Sequence, residues 1–143
     1  MLDRRWAGAP RAVRVTVAAE AGVLGYGTVV HVIQLATGGF PPYPWAPTWL
    51  AAYFASLTFL DPLAAALLLA RRTAGLYLAA FVFVTDAAAN GYAAYVLPDV
   101  TAIARASHAA ITVMAIAVLA AAPFVRPWLR RRGGPPVRDP SSR

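Results

Sequence analysis

The chain contains no cysteine and no lysine. Without cysteine, disulfides, thiolate metal sites and S-palmitoyl anchors are all excluded. Without lysine, the whole positive charge rests on arginine, thirteen residues against six acids, for a net +7. Charge of either sign is scarce. Charged residues make up 13% of the chain, whereas a soluble domain carries about 25%. Histidine occurs only twice, as His31 and His108. A glycine-rich phosphate loop, a nucleophile elbow and zinc-finger spacing are also missing, and no internal repeat is visible. What remains is a chain of 143 residues that is 59% hydrophobic, with a mean hydropathy of +0.57. So short a chain cannot hide that much apolar surface from water, but a bundle facing lipid can. The arginine-only, alanine-rich usage has the character of a GC-rich bacterial genome.

Four apolar segments are each near the ~20 residues that cross a ~30 Å hydrocarbon core. They are predicted at 13–36, 47–70, 73–97 and 100–125. The second and third are separated only by Arg71-Arg72, which forces a tight hairpin. Between the first and second, "TGGFPPYPWAP" is too rich in glycine and proline to continue a helix. Pro98 stops the third segment. The fold class predicted is all-α and integral to the membrane, an antiparallel bundle of four transmembrane helices forming one domain. Residues 1–12 form a cytoplasmic segment before it, and residues 126–143 form a basic, disordered cytoplasmic tail. The first span exceeds the 7–15 apolar residues of a signal peptide and contains Glu20, His31 and Gln34, so it is expected to stay in place.

Orientation follows from arginine. Arg4, Arg5, Arg11 and Arg14 precede the first span, Arg71 and Arg72 join the second to the third, and Arg126, Arg130, Arg131 and Arg132 follow the fourth. The other two loops have none. Arginine-rich loops stay inside, which puts both termini in the cytoplasm and the protein in the cell inner (plasma) membrane. With arginines beside apolar runs, anionic lipid headgroups are the expected partner and nucleic acid is not. Phe40, Tyr43, Trp45 and Trp49 read as an aromatic belt at the outer interface, with Trp6 and Trp128 at the inner one.

Offsets of 4, 7, 11 and 14 return to one face of a helix. Glu20, Leu24, Gly27, His31 and Gln34 fit that series in the first span, as do Thr101, Arg105, His108 and Thr112 in the fourth. Asp86 and Asn90 share a face of the third, and Asp61 lies over Leu57 and Thr58 in the second. Polar stripes on all four spans should face inward, because lipid exposure is costly. Gly22, Gly25 and Gly27, with Ala102, Ala106 and Ala110, are small enough to let helices approach closely. Pro62 frees the carbonyl of Thr58 and predicts a kink. With a rise of ~1.5 Å per residue, His31, Asn90 and His108 fall at similar depth in the outer half. Asp61 and Asp86 lie near the middle, and Glu20 is alone in the inner half.

This reading yields a polar pocket that is closed toward the cytoplasm and opens outward. His31, Gln34, Asp61, Asn90 and Arg105 are its expected ligand-binding residues. The leading expectation is a protein that binds or transports a small apolar or amphipathic, even lipidic, ligand. The alternative is an intramembrane acid–base enzyme, isomerase- or cyclase-like, with Asp86 and His108 as catalytic proton carriers. A third reading is an accessory subunit of a membrane complex. Asp86 paired with Arg105 is the structural counterpart of the catalytic reading. No cofactor or metal is expected, with haem held axially by His31 and His108 as an option. Lipids and the ligand are the expected partners, and a homo- or hetero-oligomer is a further option.

Overall fold

A computed structural model describes residues 6, 8–39, 41–98 and 101–129. Four long helices account for most of them: α1 (Arg11–Thr37), α2 (Thr48–Leu69), α3 (Thr73–Tyr95) and α4 (Ala102–Val125), followed by a 3-10 turn over Arg126–Trp128. The shortest, α2, has 22 residues, about 33 Å at ~1.5 Å per residue. All four are long and apolar enough to cross a membrane. Their ends fall within two residues of the predicted spans. Local chemistry sets the boundaries. Pro10 and Pro47 immediately precede α1 and α2, where a missing N–H costs nothing. At the start of α4 the Thr101 hydroxyl accepts from the Ala104 N–H at 3.1 Å, an N-cap. Both α2 and α4 run on through an internal proline, Pro62 and Pro123. The Thr58 hydroxyl, one turn before Pro62, is buried with no hydrogen-bond partner among the described residues.

The three-residue turn between α2 and α3, Ala70 to Arg72, is closed by backbone bonds. Arg72 N–H donates to Leu67 O and Arg71 N–H to Leu68 O, each at 2.9 Å, the Schellman pattern. Its left-handed position is usually glycine, but here it is Arg71, at φ 59°. The side chain accounts for the exception. Arg71 Nε and Nη2 donate to Trp128 O at 2.9 and 2.6 Å, and the guanidinium lies 5.1 Å from the centre of the Trp6 ring. Trp6 Nε1 in turn donates to Leu69 O at 3.3 Å. Around this clasp Val13, Val17, Leu68, Leu76, Val125 and Leu129 form one apolar cluster. We call this the arginine end, and the opposite one the linker end. Trp6 is therefore buried, at 4% exposure, rather than standing at an interface. Of the segment expected to be a disordered tail, Arg126–Trp128 is a 3-10 turn and Leu129 is buried; residues 130–143 lie outside the described residues, as do Arg4 and Arg5.

A second, larger cluster built on Leu24, Leu50, Phe54, Leu57, Val82 and Val118 fills the rest of the interior. Outside, large apolar side chains stand bare: Ile103 is 78% exposed, Phe59 75% and Phe124 73%. In water such a surface would associate or precipitate, whereas in lipid it is the normal exterior of a multi-pass protein.

The helices pack in chain order, α1 on α2, α2 on α3 and α3 on α4, but the ring is not closed. α1 and α4 barely touch, and it is at the arginine end that they share the cluster of Val17 and Val125. Of the three α1 glycines expected to permit close approach, Gly27 does so, against Asp61 of α2. A Cβ on Gly22 or Gly25 would meet nothing, whereas Gly75 of α3 lies against the backbone of Leu67 and Leu68 in α2, and Gly91 lies under the His108 ring.

Candidate functional site

The open seam leads into a cavity of about 450 Å³. From α1 it is lined by residues between Val23 and Gln34, a stretch of about 16 Å at ~1.5 Å per residue. From α4 come Ser107, Ala110, Ile111 and Met114, from α2 Phe54 and Asp61, and from α3 Val82, Phe83, Asp86 and Asn90. At the mouth Tyr26, Ser107 and Ala110 are exposed. The arginine-end cluster lies beyond its floor.

Five of the seven residues singled out by polarity line this one space: His31, Gln34, Asp61, Asp86 and Asn90. Helical spacing explains how. Asn90 sits one turn after Asp86, and its Nδ2 donates both to the Asp86 carboxylate and to the Asp86 carbonyl, each at 2.9 Å. That amide holds the carboxylate in place and takes the bond a cation would have offered. No ion pair joins Asp86 to Arg105, which is exposed and does not line the cavity. Arg105 lies in the first turn of α4, where a long side chain can reach the interface.

Asp61 is 4% exposed and receives no hydrogen bond from any described residue. It faces α1 across Gly27. A Cβ on Gly27 would come 2.5 Å from Asp61 Oδ2, so the glycine leaves room for the carboxylate. α2 and α3 are tied beside it by the Tyr53 and Thr85 hydroxyls, 2.8 Å apart.

His108 does not line the cavity. Its ring stands edge-on to Tyr95, with centroids 5.3 Å apart, lies over Gly91, and shares a 3.5 Å contact with the Thr112 hydroxyl. It serves the α3–α4 contact. His108 is thus not among the residues that line the cavity with His31. Among the described residues no group of three or more histidine, cysteine or acidic side chains is placed to hold a metal.

Sequence reasoning missed Tyr43. Trp45 and Trp49 are more than half exposed, as belt residues should be, but Tyr43 is buried at 6%. It turns inward from the linker at φ 54°, a left-handed conformation that costs a non-glycine residue on the order of 1 kcal/mol or more. Two hydrogen bonds and two ring contacts hold it there. Its hydroxyl donates to Gln34 Oε1 at 3.2 Å and lies 3.2 Å from His31 Nδ1. With that proton directed at Gln34, the imidazole is assigned as donor to the Tyr43 oxygen. The ring contacts Phe54 and Trp45, and Phe54 stacks on His31. Burial, and then the Asp86 carboxylate, hold the Tyr43 phenol above its ordinary pKa, so it stays a proton donor at neutral pH. No sequence signal marks this turn, because an inward tyrosine and a belt tyrosine look alike in a proline-rich linker.

Glu20 shares a helix face with Gly27 but does not line the cavity. It is 3% exposed, and among the described residues neither carboxyl oxygen has a partner. Leaving a buried polar group unsatisfied costs about 1–3 kcal/mol. Glu20→Met, of similar volume, is therefore expected to raise thermal stability in detergent. A loss of stability would show that Glu20 has a partner after all.

Comparison of the chain with protein-family models, with curated proteins and with solved structures finds no match.

Proposed function

We propose that the protein crosses the inner (plasma) membrane as an antiparallel four-helix bundle with both ends in the cytoplasm, and that its cavity binds or transports a small apolar or amphipathic ligand. The observation that carries this reading is the seam. Three helix pairs pack along their length, while α1 and α4 part over a space lined by polar side chains, His31, Gln34, Asp61, Asp86 and Asn90 among them, and by apolar walls. Its volume lies within the ~300–1,000 Å³ usual for small-molecule sites. A seam between two membrane helices gives a membrane-dissolved ligand a lateral way in, and the clasp at Arg71 closes the cytoplasmic end. Arginine at one end of the bundle and aromatic residues at the other support the orientation.

The acid–base alternative is less favoured, because His108 packs on Gly91 and Tyr95 and does not line the cavity that Asp86 lines. The arrangement is better suited to holding a ligand than to passing a proton between those two groups. The reading is tested by extracting the purified protein with organic solvent and analysing the extract by mass spectrometry. A small amphipathic species is expected in stoichiometric amount. Bulk lipid alone, identical to that from an unrelated four-helix membrane protein purified in parallel, would speak against a ligand site.

A further inference from the structure

The cavity holds two carboxyl groups against a single imidazole, His31. Asp61 and Asp86 line it, while no arginine does. Asp86 has the Asn90 amide, but Asp61, though buried at 4% exposure, takes no hydrogen bond from any described residue; it lines the cavity with its carboxylate against Gly27. A carboxyl withdrawn from water in a membrane bundle normally has a charged or polar partner; among the described residues none forms an ion pair with Asp61 or Asp86. The linker end of the same cavity is walled by Tyr43, Trp45 and Phe54, aromatic faces of the kind that attract organic cations. Its remaining walls, Val30, Val82, Ile111 and Met114 among them, suit a hydrocarbon body.

Taking the cavity as a ligand site, we infer that its ligand is a lipophilic organic cation, with Asp61 and Asp86 as counter-charges and the aromatic residues of the linker end against its positive centre. The apolar part of the ligand lies along α1 and α4 and enters through the seam between them. Gln34 and His31, held by Tyr43, bound the cavity toward the linker end, so selection rests on charge and bulk more than on a fixed hydrogen-bond pattern.

The probes are tetraphenylphosphonium and the neutral triphenylphosphine oxide, titrated against the full-length protein in lipid nanodiscs, with empty nanodiscs subtracted. Saturable binding of the cation, clearly tighter than that of the neutral probe, is expected. Asp61→Asn and Asp86→Asn should each weaken cation binding by roughly tenfold, as loss of a charged partner does, and leave neutral-probe binding unchanged. The comparison of the two probes on the unsubstituted protein stands even if a variant fails to fold. Equal saturable binding of both probes, indifferent to the two substitutions, would overturn the cation assignment and leave the ligand site intact. Saturable binding of neither would overturn the cation assignment and the ligand-site reading together.

Discussion

Gly75→Ala is expected to be among the most destabilising single substitutions in the chain, although it adds one carbon. The reason is where that carbon would go. A Cβ on Gly75 would collide with backbone atoms of Leu67 and Leu68, and backbone inside a hydrogen-bonded helix cannot rotate aside as a side chain can. α3 would have to move off α2 immediately after the turn that joins them, and Leu68 and Leu76, both nearly inaccessible, would lose their packing. Overpacking costs about 1–3 kcal/mol where side chains can adjust, and this site should reach the top of that range or pass it. The control is Gly22→Ala, where nothing lies within reach of the new carbon. There, replacing a helical glycine should stabilise by about 0.5–1 kcal/mol. Thermal unfolding in detergent reads both. A Gly75→Ala protein as stable as the Gly22→Ala one would mean that α2 and α3 are not packed as described.

Gly27→Leu should show the largest effect on ligand binding. Gly27 lines the cavity beside Asp61, and a leucine side chain would push the carboxylate aside and fill the space between α1 and α4. Binding should fall below detection. The cost in stability should stay modest, about 1–2 kcal/mol, because the new atoms enter open volume and only the tip of Asp61 must move. Val29→Leu changes a side chain that is 55% exposed and should leave both properties near their starting values. Ligand binding is measured alongside unfolding, so that a folded, non-binding Gly27→Leu protein is told apart from a collapsed one. Undiminished binding by a folded Gly27→Leu protein would remove the cavity from the account.

The spans could be read because apolar length is a direct physical requirement of a bilayer, and arginine and proline mark the breaks. The α1 face could be read as well. Glu20 and Leu24 are buried, while Gly27, His31 and Gln34 line the cavity. The α4 face was harder. Thr101, Arg105, His108 and Thr112 form as good a polar stripe, yet α4 turns Ser107, Ile111 and Met114 to the cavity. Polarity marks a face that avoids lipid but does not say what meets it. His108 avoids lipid by covering Gly91 and Tyr95, and Arg105 by lying near a helix end. Small residues carried the same ambiguity, because Gly22 and Gly25 touch nothing and Gly75, outside any polar stripe, makes the tight contact. Tyr43 was beyond reach of pattern altogether, since its place depends on a left-handed backbone at a non-glycine residue.

The central claim is a polar space inside a membrane-spanning bundle, reached between α1 and α4. The absence of cysteine makes its most direct test clean. Single cysteines are placed on α4 at Ser107 and Ile111, which line the cavity, and at Val113 and Ile116, which are 64% and 62% exposed on its outer surface. Each is reacted in native membranes with a small cationic methanethiosulfonate. Thiolate forms where water reaches the sulfur and not in hydrocarbon, and the carboxyl groups of the cavity draw the cationic reagent in. Cysteines at 107 and 111 should therefore react roughly tenfold faster or more, and excess tetraphenylphosphonium should slow them. Equal rates at all four positions, unaffected by the cation, would contradict the account.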